Sequence, residues 1–288
     1  MPLTVKAYAK INLGLRIMER RDDGYHDIET VFHRVDIHDT ITIDEADMIL
    51  FSCDDAGLGL ADENLCLKAA RALREHCGIS AGANIFLEKS IPLGAGLGGG
   101  SADAAATLRG LAQLWNCTLR ESEFAALAMG IGSDVPYFLK DGTAHATGRG
   151  EHLTYFDLKI PYAILVVYPQ VHVATAWAYQ NLKLKDARPT KSLRMTWEQS
   201  VNDPELLHGE IVNDFEELVA SHYPAVANAK RMLNEAGSVF AQMSGSGSAV
   251  YGLFNNLAAA RAAKAEIAKF YPTFLTEPLF EAGAARPV

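Results

Sequence analysis

Five glycines crowd one short stretch, at positions 94, 96, 98, 99 and 100, and Ser101 follows them at the head of a helix pattern. Ala104, Leu108, Leu111, Ala112 and Trp115 recur at the spacing of one helix face, so the pattern predicts a helix from Ser101 to Trp115. Ser101 is placed to cap it. Upstream, Ala83 to Leu87 reads as a strand, which gives the order strand, glycine loop, helix N-terminus. The first amides of a helix lack intrahelical partners and carry partial positive charge. Glycines let backbone amides approach a ligand and form a concave nest, so this order suits an anion such as phosphate.

Three readings of the loop compete. One is a plain structural turn, for which so many glycines are uncommon. A second is a dinucleotide fingerprint, since Gly94, Gly96 and Gly99 fit G-x-G-x-x-G. That motif wants an acidic residue ending the next strand, about 20 residues on. Glu121 and Glu123 lie near that distance but open a helix-like segment. The third is a kinase phosphate loop. The signature G-x-x-x-x-G-K-[ST] is absent, which argues against a P-loop NTPase.

The 288 residues suffice for one large domain or two ordinary ones, and a hydrophobic content of 49% supplies a sizeable core. A net charge of −9 argues against a general nucleic-acid binder without excluding a local basic pocket. Cys53, Cys66, Cys77 and Cys117 form no C-x-x-C pair and no zinc spacing with histidine, so they read as reduced thiols of a cytoplasmic protein. The N-terminus lacks the apolar core of a signal peptide. The uncharged runs at 160–182 and 236–256 are broken by Pro161, Pro169, Gln170 and His172 and by Gly-Ser repeats. Both read as buried strands with loops, and no membrane partner is expected.

Taken in order, residues 3 to 18 read as two short strands with Lys6 and Lys10 among apolar neighbours. By position alone, Lys10 is a solvated edge-strand charge. Asp23-Gly24 signals a hairpin, with Tyr25 and His26 just past it; they read either as strand packing or as a platform for a planar ligand. Strands follow within 28–52 and a helix at 62–77, where His76 reads as a packed or partly exposed helix residue. A helix is expected at about 121–129. Asp134, between Gly132 and Pro136, reads either as a turn cap or as a carboxylate projected into a cleft. Residues 143 to 147 read as a strand, followed by a Gly148-Arg149-Gly150 turn. Further on come a strand at 162–168, a polar and basic mobile loop at 183–195, and helices near 211–220 and 224–236. Two strands around the Ser244–Ser248 loop, a helix at about 257–270 and a strand within 273–282 complete the chain.

Ala9-Lys10-Ile11-Asn12-Leu13, the run from Pro92 to Ser101, and Met243-Ser-Gly-Ser-Gly-Ser-Ala-Val-Tyr251 occur in one order that resembles the GHMP kinase superfamily. Asp23-Gly24-Tyr25-His26, Glu29-Thr30-Val31-Phe32, the triple glycine and Ser133-Asp134-Val135-Pro136 carry the likeness further. They resemble the branch that phosphorylates a cytidyl-diphosphate-linked methylerythritol in the non-mevalonate route to isoprene units. The resemblance covers nearly the whole chain. It implies a two-domain α+β fold, with a nucleotide-binding N-terminal domain over 1–158 and a ferredoxin-like C-terminal domain over 159–288. The active site is expected between them.

The resemblance also implies roles. Lys10 and Asp134 are the expected catalytic pair: Asp134 accepts or orients the proton of the attacking hydroxyl, and Lys10 keeps that carboxylate ionised. Pro92, Leu93, Gly94, Ala95, Gly96, Leu97, Gly98, Gly99, Gly100, Ser101 and Ala102 are expected around the phosphates of ATP, with Ser101 near Mg²⁺. Asn64 and Lys89 match positions near the nucleotide. Tyr25 and Tyr179 are expected to sandwich the cytosine, His26 to read its edge, and Asn12 to position the methylerythritol end. Thr175 is a further substrate contact, and the Ser244–Gly247 loop is expected to shape the cleft floor. Ala102 stands where many members have a second serine, and Tyr179 where phenylalanine is common. A small-molecule partner and a monomer or weak homodimer are expected. Other GHMP kinases acting on mevalonate, homoserine or a sugar have no need of a cytosine platform. A silent ATP-sensing relative has no need of Lys10 and Asp134. A dinucleotide-dependent oxidoreductase requires NAD binding.

Overall fold

The computed structural model describes residues 2–58, 64–184 and 190–282. The first half opens with two long strands, β1 (Leu3–Arg20) and β2 (His26–Ala46), then β3 (Ile49–Cys53), helix α1 (Leu65–His76) and strand β4 (Gly82–Glu88). Helices α2 (Gly99–Leu114) and α3 (Glu121–Ile131) follow, then strands β5 (Thr143–Thr147) and β6 (His152–Phe156). The second half runs β7 (Ala163–Val167), α4 (Thr175–Asn181), α5 (Leu193–Ser200), α6 (Pro204–Glu210), α7 (Glu216–His222) and α8 (Pro224–Glu235). It closes with β8 (Phe240–Met243), β9 (Val250–Phe254), α9 (Leu257–Ile267) and β10 (Thr273–Thr276).

Residues 3–20 form one strand where two were expected. Register shifts against β2 between Tyr8 and Lys10 and between Asn12 and Leu15 bend it without breaking it. Every odd position from Val5 to Ile17 is apolar and buried, the period of a strand laid on a core. The first sheet runs β3-β4-β2-β5-β6, with β1 on β2; the second runs β10-β7-β9-β8, all antiparallel. Read as strands one to four of its own unit, the second sheet has the order 4-1-3-2. With α8 before β8 and α9 before β10, this is the ferredoxin-like arrangement.

Three apolar clusters hold these layers. Ile41, Ile43, Ile85 and Leu87 of the first sheet meet Leu73 of α1 and Leu108 and Leu111 of α2. Leu165, Val167 and Val250 meet Val226, Leu233 and Ile267 under α8 and α9. Between the sheets, Ile11, Leu13 and Leu97 share a cluster with Leu193, Trp197, Tyr251 and Leu253. Full burial of one such side chain contributes roughly 1.5–3 kcal/mol.

Four local expectations are corrected. Cys77 and Cys117 are joined as a disulfide (Cα–Cα 6.5 Å), because the C-terminal ends of α1 and α2 lie together; Cys53 and Cys66 are free. Helix α2 is capped by Gly98 in the left-handed region, which places Ser101 third in the helix. The helix expected near 211–220 begins only at Glu216, since the chain between α6 and α7 pairs with β1 through Leu15 N–H to Val212 O and Asp214 N–H to Leu15 O. Of the loop expected at 183–195, residues 185–189 lie outside the described residues, and its end starts α5 with Leu193 fully buried. No described helix is long and apolar enough to cross a membrane.

Candidate active site

The second edge of β1 is where the site is built. A strand edge offers unpaired backbone groups that must find partners when buried. Here the partners come from far along the chain. Lys10 N–H donates to Leu97 O of the glycine loop (2.9 Å), Asn12 N–H to Ser244 Oγ (3.1 Å), and Gly14 N–H to Gln242 Oε1 (3.0 Å). Covered in this way, Lys10 is 4% exposed, which overturns the solvated edge-strand reading.

The glycine loop is clamped by its carbonyls. Ala95 O accepts from Ala249 N–H (3.0 Å), Gly96 O from Ser244 Oγ (2.9 Å), and Leu97 O from Lys10 N–H. A Cβ at Gly96 would stand 2.2 Å from Ser244 O, so only glycine permits this approach. Gly98 has φ +71° and lies against the Lys10 side chain, with Lys10 Cε 3.0 Å from where a Cβ would be. The amides are left over. From Gly96 to Ser101, no backbone N–H donates to a described group. Ala95, Leu97 and Ala102 bury their side chains in the apolar clusters, so their only groups for a ligand are backbone ones.

A second anchor fixes the loop from below. Asp39, fully buried, accepts from Ser90 N–H (2.6 Å) and Ile91 N–H (2.8 Å). Lys89 Nζ bridges Asp39 Oδ2 (2.5 Å) and Asp103 Oδ2 of α2 (2.9 Å). Burial pushes the Asp103 carboxyl well above the usual range, and the Lys89 ammonium opposes that push. Lys89 itself is held above its ordinary value: the two carboxylates outweigh burial. Its ammonium thus ties the strand before the loop to the helix after it. Asn64 caps α1 by accepting from Cys66 N–H (2.8 Å). Neither Asn64 nor Lys89 lines the main cavity.

That cavity, of about 1000 Å³, lies between the two halves. Lys10, Asn12, Tyr25, His26, Asp134, Thr175 and Tyr179 of the expected site line it, with Gly96 and Gly98. At one end, Lys10 Nζ donates to Asn12 Oδ1 (2.7 Å) and lies 3.4 Å from Asp134 Oδ2 and 4.8 Å from the Phe32 ring centroid. Residues two apart on a strand share a face, which brings Lys10 and Asn12 together. Burial lowers the Lys10 pKa, while the Asp134 charge and hydrogen bond raise it. Asn12 Nδ2 donates to Thr30 Oγ1 (2.9 Å), whose hydroxyl donates to Gly14 O (2.6 Å).

At the other end the walls are aromatic. Tyr25 is 56% exposed, with the Arg149 guanidinium 4.8 Å from its ring centroid. The His26 ring stacks on Tyr179 (centroids 4.9 Å, 22°), so in this conformation His26 covers one face of the ring expected to take cytosine. Burial and the Arg20 charge lower the His26 pKa, favouring the neutral imidazole. Tyr179 is braced edge-on by Phe215 (4.9 Å). Thr175 Oγ1 is 2.9 Å from Ser246 Oγ in the loop that closes the cavity floor.

Asp39, Asp103, Thr30 and Arg149 were not singled out by the sequence. Asp39 and Asp103 carry no local motif, and Thr30, although inside the Glu29–Phe32 motif, takes its role from Asn12 and Gly14 on the neighbouring strand. Arg149 had a signal, a charged residue between two glycines. Glu121 and Glu123 begin α3, where Glu123 Oε2 accepts from Arg120 N–H (2.8 Å); they end no strand, and the dinucleotide fingerprint fails.

A glycine loop with free amides at a helix N-terminus, set against a ferredoxin-like half, defines a class of small-molecule kinases. Residues 64–142 match the GHMP kinases N terminal domain and residues 199–273 the GHMP kinases C terminal family; the chain belongs to the GHMP kinase family. Within it, the chain is 46% identical to the 4-diphosphocytidyl-2-C-methyl-D-erythritol kinase of Chlorobium phaeobacteroides (strain BS1), over 96% of this chain and 98% of that one. It is 45% identical to the enzyme of the same name from Chlorobaculum tepidum, over 93% and 94%. A crystal structure of a 4-(cytidine 5'-diphospho)-2C-methyl-D-erythritol kinase aligns with TM-score 0.80 at 31% identity, covering 97% of this chain and 99% of that one. Homoserine kinase from Cytophaga hutchinsonii shares the fold, at TM-score 0.73 and 18% identity, over 99% and 97%.

Proposed function

We propose that the protein transfers the γ-phosphoryl group of ATP to the 2-hydroxyl of 4-diphosphocytidyl-2-C-methyl-D-erythritol, giving the 2-phosphate and ADP. The observation that carries this reading is one cavity in which the Lys10–Asp134 pair stands beside the glycine loop and shares its walls with Tyr25, His26 and Tyr179. The relatives' names supply the substrate; the cavity offers candidate partners for its hydroxyl and for its base.

The free amides between Gly96 and Ser101 suit the phosphates of ATP, with the α2 N-terminus adding positive charge. Asp134 takes or orients the proton of the attacking hydroxyl, and Lys10 beside it steadies the carboxylate and the developing alkoxide. Asn12, held by Thr30, fixes the Lys10 ammonium and offers its amide to the methylerythritol end. Tyr25 and Tyr179 take the two faces of the cytosine once His26 has left Tyr179 to meet the ring edge, with Thr175 alongside. Most of the catalysis in phosphoryl transfer is alignment and charge neutralisation, which a clamped loop provides.

Among the described residues, no group of three or more His, Cys, Asp or Glu side chains forms a self-sufficient metal site. The Ser101 hydroxyl, in the first turn of α2, would be the protein group to hold a Mg²⁺ ion brought in with ATP. Bound there, Mg²⁺ supplies charge neutralisation. The two sheets correspond in this reading to two domains, over 1–158 and 159–288. The test is coupled ADP release with ATP and Mg²⁺ against 4-diphosphocytidyl-2-C-methyl-D-erythritol, mevalonate, homoserine and galactose. Release with the first alone is expected; turnover with another member instead would overturn the cytosine assignment.

A further inference from the structure

The chain carries a net charge of −9, yet its main cavity collects cations. Among the described residues, Lys10, Arg20 and Arg149 line it, against Asp134 as the lining carboxylate. Lys10 is engaged by Asn12 and Asp134. Arg149 has a different setting, in the β5–β6 turn between Gly148 (φ +67°) and Gly150 (φ +110°). Gly150 packs on the chemical end of the cavity: a Cβ there would lie 3.6 Å from Asp134 Oδ1. One residue earlier, the Arg149 guanidinium lies 4.8 Å from the Tyr25 ring centroid. A single turn therefore touches both ends of the cavity.

A ligand with its hydroxyl at Asp134 and its base on Tyr25 spans the two ends that this turn joins. We propose that Arg149 is a specificity-determining residue that binds the diphosphate linker of the substrate while bracing Tyr25 from behind. The inference rests on the proposed function and adds a residue to it. Guanidinium suits both tasks, because it stacks on aromatic faces and offers a planar fork to phosphate oxygens. Its surroundings leave that fork available. Glu151 engages the Nε side, with Nε 3.7 Å from Oε1, and its other oxygen accepts from Arg149 N–H. Asp23, the other carboxylate facing this corner, is taken by Arg21 (3.1 Å) and by Tyr25 N–H (3.1 Å). The Asp23 carboxylate feels the Arg149 charge, but among the described residues Glu151 is the carboxylate within 4.0 Å of its guanidinium.

The test is calorimetric titration of the full chain with cytidine, CMP and CDP, comparing wild type with Arg149→Met and Arg149→Lys. Wild type is expected to prefer CDP over CMP. Loss of a charge-assisted contact predicts that Arg149→Met weakens CDP by about 10- to 100-fold. Cytidine should weaken by only about threefold, the share of the lost cation–π brace. Arg149→Lys keeps the charge without the fork and is expected in between; it carries the test alone if the methionine variant does not fold. Equal weakening of all three ligands would reduce Arg149 to a brace and overturn the proposal, as would unchanged CDP binding in both variants. Wild-type protein that binds none of the three would instead overturn the substrate reading, and this inference with it.

Discussion

The two ends of the cavity are built in opposite ways. At the Lys10 end the side chains that line the cavity are held by buried partners: Asn12 holds Lys10, Thr30 holds Asn12, and Ser244 spans Asn12 N–H and Gly96 O. At the Tyr25 end the groups are aromatic and open, and His26 rests on the face of Tyr179 that a ligand would use. The difference matches two demands. Phosphoryl transfer needs groups aligned before the substrate arrives. Recognition of a planar base needs an accessible surface whose covering group can move.

This contrast predicts different losses at the two ends. Asp134→Asn is expected to cost about 10²–10⁴-fold in kcat, the range of a general base, with KM for either substrate within a few fold; steady-state kinetics checks it. Asp39→Ala takes away the carboxylate that pins Ser90, Ile91 and Lys89 and leaves that ammonium partly unpaired. A loss of about 3–5 kcal/mol in stability is expected, read by urea denaturation. Tyr25→Ala removes one stacking face and is expected to raise KM for the cytidyl substrate by roughly 5- to 100-fold, with kcat held. A kcat loss there would erase the division between the ends.

The smallest effect concerns pH. His33, buried beside Thr143 Oγ1 (2.7 Å), has its pKa pushed down by burial to about 4. The unfolded chain therefore binds a proton between about pH 6.5 and 4 that the folded chain does not, and stability falls as pH drops through that window. At pH 5.5 the loss is about 1 kcal/mol relative to neutral pH. In His33→Gln that slope should flatten in denaturation curves across this range, while kcat follows its own pH profile.

What could be read from the sequence was local. The glycine loop, its strand and its helix are continuous in the chain, so the anion site announced itself. The burial of Lys10 did not, because the Ser244 hydroxyl beside it is 232 residues from Asn12. The Cys77–Cys117 bond was illegible for the same reason: its partners, 40 residues apart, meet only through the packing of α1 and α2. Ser101 looked like a cap because serine often is one, but Gly98 in the left-handed region starts the helix earlier. Arg149 lay in a turn that the sequence did show; its reach to Tyr25 needed the fold.

The most direct measurement is the kcat and KM of Asp134→Asn and Tyr25→Ala side by side, with ATP and 4-diphosphocytidyl-2-C-methyl-D-erythritol. The account predicts that the first variant loses kcat alone and the second loses KM alone. Both variants failing in the same parameter would contradict a cavity divided between chemistry and recognition.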